Sequence, residues 1–261
     1  MRFMVMHKVD ESSEAGLPPR QEVIAGMGKL MEEMMQAGVF LAGEGLRPSS
    51  MRVRLTFTEG RCQVTRGPLI GSNELPAGFA LMKVKSMEEA IEWATRFAAV
   101  VGDVELDIGP VTEPWDLGVC PKPGGDVPLR VLAMHKADES SEACVAPSPT
   151  LMAEMAKLTE EMSKAGVLLA TEGLHPSSKG WRLKYTGGKR TVIDGPFTES
   201  KELIAGFVML QVKSKEEIFD WAARFANVVG DVEMDVRQVF EASDFAPGPA
   251  PEREATDRRT A

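Results

Sequence analysis

The chain has 261 residues, 43% of them hydrophobic, and a formal net charge of −9 with a sequence pI near 5.1. This length and apolar content are sufficient for two cores of ordinary size. The acidic balance argues against nucleic acid or anionic lipid as partners, because both are bound through clustered Lys and Arg. The sequence shows neither the run of ~20 apolar residues that spans a membrane nor a signal peptide, so no membrane partner is expected.

The dominant feature of the sequence is an internal repeat. Residues 3–112 align with residues 131–240 at a constant offset of 128 without a gap, and 59 of the 110 aligned pairs are identical. A unit of this size is a domain rather than a solenoid repeat. The sequence therefore predicts a first repeat at 1–112, a linker at 113–129, a second repeat at 130–245 and a disordered tail at 246–261.

In chain order, each repeat predicts a strand, a helix, a strand, a hairpin, a strand, a helix and a strand. Apolar residues recur on one helical face from Ile24, and Gly38 follows where that helix should end. Ser86 opens a capping box at the start of the second helix. For the first repeat the expected ranges are strands at 2–8, 39–46, 52–58, 79–85 and 103–111, with the first helix at 19–37.

This order is βαββαβ, the split ferredoxin-like topology, with an extra hairpin. In such an α+β fold each repeat forms one sheet with both helices on one face, and the other face needs a partner. We therefore expect the two repeats to pack sheet against sheet as an intramolecular pseudo-dimeric α+β barrel. Further homo-oligomerisation is left open.

The differences between the repeats indicate where chemistry could reside. Five polar residues of the second repeat have unlike counterparts in the first: His175, Asp194, Glu199, Lys201 and Arg237 align with Arg47, Arg66, Gly71, Asn73 and Gly109. His175 titrates nearest neutrality and is the candidate general acid or base, with Asp194 to orient it or to receive the proton. Arg237 suits a carboxylate or phosphate on a ligand. Glu172, which could hold Arg237, Lys201 and Glu199 complete the candidate binding set.

Each candidate also has a structural explanation. His175 precedes a proline and could be an exposed turn residue, and Asp194 could cap its turn. Arg237 could belong to a solvated ladder of ion pairs with Glu233 and Asp235 on one strand face.

His7 and His135 occupy matched places at the end of the first strand of each repeat. They could share a ligand or metal near the pseudo-twofold axis, or each could be a half-buried histidine with a hydrogen bond. The sequence has no spacing typical of a zinc site and no P-loop, Rossmann or nucleophile-elbow motif, so no metal and no cofactor are predicted. Three unmatched cysteines, Cys62, Cys120 and Cys144, favour free thiols in a reducing, cytoplasmic location.

Several motifs of the second repeat carry a family resemblance. They are the segment Glu172-Gly-Leu-His-Pro-Ser-Ser178, the run that ends at Asp194-Gly-Pro-Phe, Glu199-Ser-Lys-Glu202, Gly206-Phe and Val236-Arg-Gln-Val239. In this order they resemble the YCII-related domain proteins, and in particular their DGPF-motif branch. The resemblance implies a fold similar to the dimeric α+β barrels. Some members of the family look like small hydrolytic or dehalogenating enzymes that use a His and an Asp.

Three functional hypotheses follow. The first is a small cytoplasmic enzyme that acts on a small organic molecule by acid–base chemistry without an organic cofactor. The second is a non-catalytic ligand-binding or regulatory module, since members of the DGPF branch often accompany extracytoplasmic-function sigma factors. The third is a structural oligomerisation unit. The fold alone does not decide among them.

Overall fold

The computed structural model describes residues 1–197 and 200–245. The strands are β1 Arg2–Lys8, β2 Phe40–Gly45, β3 Val53–Thr58, β4 Arg61–Arg66, β5 Pro76–Val84, β6 Val104–Pro110, β7 Leu129–Lys136, β8 Leu168–Gly173, β9 Trp181–Thr186, β10 Lys189–Asp194, β11 Ile204–Gln211 and β12 Val232–Gln238. The helices are α1 Glu11–Glu14, α2 Gln21–Gln36, α3 Met87–Val101, α4 Glu139–Glu142, α5 Pro149–Lys164 and α6 Lys215–Val229. None of the helices in these ranges is long and apolar enough to cross a membrane.

Both six-stranded sheets are built from both repeats. Sheet I has the order β10-β9-β12-β1-β11-β2, so that β1 and β2 of the first repeat join four strands of the second. Sheet II has the reciprocal order β4-β3-β6-β7-β5-β8. Every strand pair is antiparallel. Each ferredoxin-like set of four strands, such as β12-β1-β11-β2, therefore exchanges its first two strands with the other repeat.

The predicted α+β class, with two ferredoxin-like units in one pseudo-dimer, is confirmed. The expectation that each repeat closes its own sheet is wrong, because β1 inserts between β11 and β12 and pairs with both. The alternation of apolar and polar residues identifies a strand and its buried face. This alternation is the same whichever copy of the repeat supplies the neighbouring strand, so the sequence could not reveal the exchange.

Three apolar clusters hold the sheets and helices together. One lies between sheet I and helices α2 and α6 and includes Trp221, and a second lies between sheet II and helices α3 and α5. The third fills the space between the two sheets with Met4, Met6, Phe79, Phe207 and their neighbours. The rings of Phe79 and Phe207 meet across this layer at 5.3 Å between centroids. The predicted packing of sheet against sheet follows from this central layer.

Local signals set the helix ends largely as expected. Ser86 and Ser214 accept hydrogen bonds from Glu89 and Glu217 at the starts of α3 and α6. Gly38 follows the C-cap of α2 with φ of 70°, a conformation that glycine adopts without strain. The sequence analysis missed the four-residue helices α1 and α4, which are too short to show an apolar period and are fixed by capping boxes.

The barrel closes where the ends of two strands of the same repeat meet. Leu46, after β2, bridges Val111, after β6, and we call this contact the first-repeat seam. Leu174, after β8, bridges Val239, after β12, and this is the second-repeat seam. The sheets are thus shared between repeats, whereas each seam belongs to one repeat.

The strand exchange generates a testable prediction. A chain of residues 1–112 alone contains β5 and β6 but lacks β7, the strand that lies between them in the intact protein. Two copies can exchange β1 and β2 and rebuild both sheets, which removes the exposed strand edges of a monomer. We expect this fragment to run as a folded homodimer in light scattering. A folded monomer would show that β1 can return to its own repeat.

Candidate functional site

The second-repeat seam gathers polar side chains from four segments of the second repeat. His175 follows the end of β8, and its backbone N–H donates to the carbonyl of Gln238 on β12 at 2.8 Å. Arg237 lies in β12, Glu142 ends α4, and Asp244 lies in the 3₁₀ turn Ala242–Phe245. The comparison of the repeats thus pointed to two residues, His175 and Arg237, that are in contact in the structure.

His175 is buried and held on three sides. Its side chain is 3% exposed, so it is not an exposed turn residue. Its ring lies 3.9 Å from that of Phe240 between centroids, and Nε2 is 3.1 Å from Oδ2 of Asp244. Nδ1 is 3.4 Å from Nζ of Lys179. An ammonium can only donate, so this geometry assigns the ring proton to Nε2, where it points to Asp244.

The protonation of this pair follows from its surroundings. Burial lowers the pKa of His175 below its ordinary value, and the hydrogen bond with Asp244 opposes that shift only in part. The pKa of Asp244 is lowered chiefly because the backbone N–H of Glu241 donates to its carboxylate. Near pH 7 the pair is therefore a neutral imidazole beside an ionised carboxylate. A neutral imidazole with Nδ1 as its acceptor is the form that can take up a proton.

Arg237 is 1% exposed and its guanidinium is only partly satisfied. Nε and Nη2 donate to the carbonyl of His175 at 3.2 and 2.6 Å, and Nη2 also donates to Oε1 of Glu142 at 3.1 Å. Nη1 is buried and has no hydrogen-bond partner within the described part of the chain. A buried donor left in this state costs about 1–3 kcal/mol. Burial lowers the pKa of the guanidinium, which still stays protonated near neutrality.

Glu142 fixes the geometry beneath Arg237. Its carboxylate accepts from the backbone N–H of Ser177 at 3.0 Å and from the Ser177 hydroxyl. Glu142 is not evident from the differences between the repeats, because its counterpart Glu14 is identical. Asp244 and its counterpart Asp116 lie just beyond the aligned segments, although they obey the same offset.

The first-repeat seam has the same plan with different chemistry. Arg47 replaces His175, and its Nε donates to Oδ2 of Asp116 at 2.8 Å. Glu14 accepts from Ser49 as Glu142 accepts from Ser177. A permanent ion pair thus stands in the first repeat where the second has a titratable His–Asp pair.

The guanidinium of Arg237 does have a counterpart in the first repeat, supplied from another strand. Arg52, just before β3, donates through Nε to the carbonyl of Arg47 at 2.8 Å, as Arg237 does to that of His175. A side chain on Gly109 would meet Arg52 at 3.3 Å, and one on Gly180 would meet Arg237 at 3.0 Å. Arginine and glycine have therefore changed places between the two strands. Nη1 of Arg52 donates to the carbonyl of Ile204 at 2.7 Å, whereas Nη1 of Arg237 has no hydrogen-bond partner among the described residues.

Asp194 does not join this cluster. It lies at the end of the edge strand β10 with a side chain that is 75% exposed, and it pairs with Lys215 at 3.3 Å. The structure therefore gives His175 its carboxylate from Asp244, and the expected contact between His175 and Asp194 is wrong. Asp194 and its counterpart Arg66 carry opposite charges at equivalent positions of the two repeats. That difference in charge did not place Asp194 in a cleft with His175.

The Asp-Gly-Pro turn is architectural. An added Cβ on Gly195 would lie 1.8 Å from the carbonyl oxygen of Ser177, and the N–H of Phe197 donates to the Ser177 hydroxyl at 3.0 Å. Gly67 makes the same close approach to Ser49 in the first repeat. Glycine is required because the turn packs directly on backbone.

The other predicted ligand-binding residues have separate places. Glu172 in β8 pairs with Arg2 of β1 across the two sheets, so it does not hold Arg237 as expected. Lys201 is an exposed residue between β10 and β11 that makes an interaction within the protein. Glu199 lies outside the described residues, as does the predicted disordered tail.

Asp235 is not part of a solvated ladder with Arg237. It is 1% exposed and binds Lys8 at 2.7 Å and Arg182 at 2.7 Å. Sheet II contains the equivalent cluster, in which Asp107 and Arg54 of the first repeat join Lys136 of the second. We assign both clusters to the scaffold, because the repeats share them.

His7 and His135 lie on the helix side of their sheets, apart from the seams. Their rings pack 5.3 Å from those of Phe225 and Phe97 between centroids. Burial lowers the pKa of each to about 4. Each is thus enclosed under its own helix layer, which does not favour a shared ligand. The described ranges contain no group of three or more His, Cys, Asp or Glu residues that could hold a metal ion.

Comparison with known proteins identifies the family. The family model of the YCII-related domain matches residues 1–105 and again residues 129–242. The chain therefore belongs to the YCII-related domain family, as a tandem duplication. It is also 30% identical over 77 residues to an uncharacterized protein of Rhizobium meliloti. That match covers 30% of this chain and 62% of the relative, which is less than two thirds of its length.

The half-buried histidines His7 and His135 predict acid sensitivity. His7 and His135 take up protons near pH 6.5 when unfolded but only near pH 4 when folded, so stability is full above pH 6.5 and falls as the pH drops towards 4. Each contributes a loss of roughly 2–3 kcal/mol at pH 4, and His175 adds to it in the same direction. Urea denaturation should show a flatter pH profile between 4 and 6.5 for the His7→Gln/His135→Gln variant. An unchanged slope would contradict the assignment.

The turn geometry predicts contrasting effects of two adjacent substitutions. Asp194→Ala removes only an exposed ion pair and should change stability by less than about 0.5 kcal/mol. Gly195→Ala forces a methyl group against the Ser177 carbonyl and should destabilise by more than about 3 kcal/mol. Chemical denaturation of both variants decides. Equal effects would mean that the Asp194 carboxylate, not the close packing, is what the motif requires.

Proposed function

We propose that the protein binds a small anionic organic molecule, bearing a carboxylate or a phosphate, at the second-repeat seam. The observation that carries the proposal is Nη1 of Arg237, a buried cationic donor with no hydrogen-bond partner among the described residues. A ligand oxygen at this nitrogen would complete the guanidinium and recover the cost of the unpaired donor.

The first-repeat seam supports this choice by contrast. Arg52 occupies the equivalent place, but its Nη1 donates to the Ile204 carbonyl. Its partner Arg47 is bound to Asp116. The first seam is therefore closed by the protein's own groups, and one ligand is expected per chain. The partner proposed for the second-repeat seam is therefore a small molecule.

Acid–base chemistry on the bound molecule is the second candidate, and the 3.1 Å contact between His175 and Asp244 favours it. Asp244 orients the imidazole through Nε2, and Nδ1 would accept a proton in place of its contact with the Lys179 ammonium. The reaction class would be proton abstraction or proton-assisted hydrolysis of a small organic acid. Association with an extracytoplasmic-function sigma factor stays a prediction from the family resemblance.

The exchanged Arg and Gly provide a matched test of binding. Gly180→Arg/Arg237→Gly gives the second seam the arrangement of the first, but the new Cβ at position 180 must displace the Val236 carbonyl oxygen, which lies 2.6 Å away, so a loss of about 1–3 kcal/mol is expected with the fold retained. Wild-type protein should be stabilised in thermal shift by a carboxylate such as acetate or benzoate, or by phosphate, and ligand at about 100 times Kd gives about 2.7 kcal/mol. The swapped variant should lose this response.

The mirror variant Arg52→Gly/Gly109→Arg is the control and should keep the response. Retention by the Gly180→Arg/Arg237→Gly variant, or loss in the mirror variant, would remove the site from the second seam. For the acid–base candidate, a stabilising carboxylate is incubated in D2O and its C–H signals are followed by NMR. Deuterium uptake that disappears in His175→Gln supports chemistry at His175, and uptake that survives excludes it.

A further inference from the structure

The segment Phe240–Phe245 covers the seam. Phe240 lies on the His175 ring, Phe245 lies 5.3 Å from Phe240 between centroids, and Asp244 contacts Nε2 of His175. Beneath it, the carbonyl of His175 accepts from Arg237, which is 1% exposed. The cover and the buried guanidinium therefore both contact His175, the cover through its ring and Arg237 through its carbonyl. The surface of the cover is itself open to solvent, with Phe245 50% exposed.

The first repeat has the same cover, anchored more strongly. Residues 112–117 occupy the equivalent place, with Asp116 bound to Nε and Nη2 of Arg47, both at 2.8 Å. Arg130 also clamps Glu113 with two parallel hydrogen bonds of 2.8 Å. The Arg130–Glu113 pair is bidentate, and bidentate Arg–carboxylate pairs are among the strongest polar contacts available to a surface segment.

The cover of the second repeat lacks both clamps. Asp244 accepts one hydrogen bond from His175 and one from the backbone N–H of Glu241 within the cover, at 2.7 Å. The carboxylate of Glu241 accepts from the backbone N–H of Arg2 at 3.2 Å. The side chain of Arg2 donates instead to the Phe240 carbonyl at 2.7 Å and pairs with Glu172. Glu241 is 40% exposed, against 11% for Glu113. The two covers share a fold but differ in how firmly they are held.

We propose that Phe240–Phe245 is a movable cover that opens to admit a ligand to Arg237, with the His175–Asp244 contact as its latch. This inference rests on the proposed function, since the cover regulates that same site. The cover of the first repeat is its closed counterpart. One change, His175→Arg, would give the second cover the ion pair of the first.

Hydrogen–deuterium exchange of the full chain, without ligand, tests the cover directly. Peptides over residues 240–245 should exchange faster than those over residues 112–117 in the wild type. Asp244→Asn should speed the exchange of 240–245 by about tenfold or more, and His175→Arg should slow it. Asp116→Asn is the matched control, which should leave 240–245 unchanged.

Equal protection of the two covers in the wild type, or no response of residues 240–245 to either His175→Arg or Asp244→Asn, would overturn the proposal. The result does not depend on any ligand. A cover that opens as described while no carboxylate or phosphate stabilises the protein would leave the cover standing and would refute the proposed function alone. A ligand that binds through Arg237 while the cover stays fixed would support the proposed function and refute the movable cover.

Discussion

The insertion of β1 between β11 and β12 is the constraint on which the rest of the structure depends. Phe3 in this strand faces Leu210 on one side and Gln238 on the other, so the first repeat supplies the centre of the sheet that carries β12. Met4 is the ladder partner of Arg237. The position of the buried guanidinium is therefore set by both repeats, although the polar groups that contact it belong to one. Arg2 extends the same dependence to the cover through its hydrogen bond to Phe240.

Duplication gives the molecule an internal comparison that a single domain lacks. The two seams share a glutamate that binds a serine, a guanidinium on a carbonyl, and an aspartate over the residue that follows the bridge. They differ at one atom: Nη1 of Arg52 donates to the Ile204 carbonyl, whereas Nη1 of Arg237 has no hydrogen-bond partner in residues 1–197 and 200–245. The two seams therefore differ by a few hydrogen bonds within a shared scaffold. The scaffold clusters around Asp107 and Asp235 stay alike in both repeats.

Much of the fold could be predicted from the sequence, because apolar periodicity, capping serines and the C′ glycines are local signals. Strand exchange is not local, and identical alternation in both copies hides it. For the site, the offset comparison found His175 and Arg237 but joined them to the wrong carboxylates. Asp194 stood out because its charge differs from that of Arg66, yet it is exposed. Glu142 went unnoticed because its counterpart Glu14 is identical, and Asp244 because it lies beyond the aligned residues. The comparison also treated Gly109 as a loss, when Arg52 restores the guanidinium from the adjacent strand. A pair of compensating changes on neighbouring strands can be recognised only once the strand pairing is known.

We propose that Arg237, whose Nη1 has no hydrogen-bond partner among the residues that the structure describes, binds the ligand and that Arg52 does not. Side-chain NMR of protein labelled with ¹⁵N-arginine tests it most directly, with the Arg237 signal assigned by its absence from the Gly180→Arg/Arg237→Gly variant. Titration with a carboxylate that stabilises the protein should shift the guanidinium signal of Arg237 saturably and leave that of Arg52 in place. Equal shifts at both arginines, or a shift at Arg52 alone, would contradict the account.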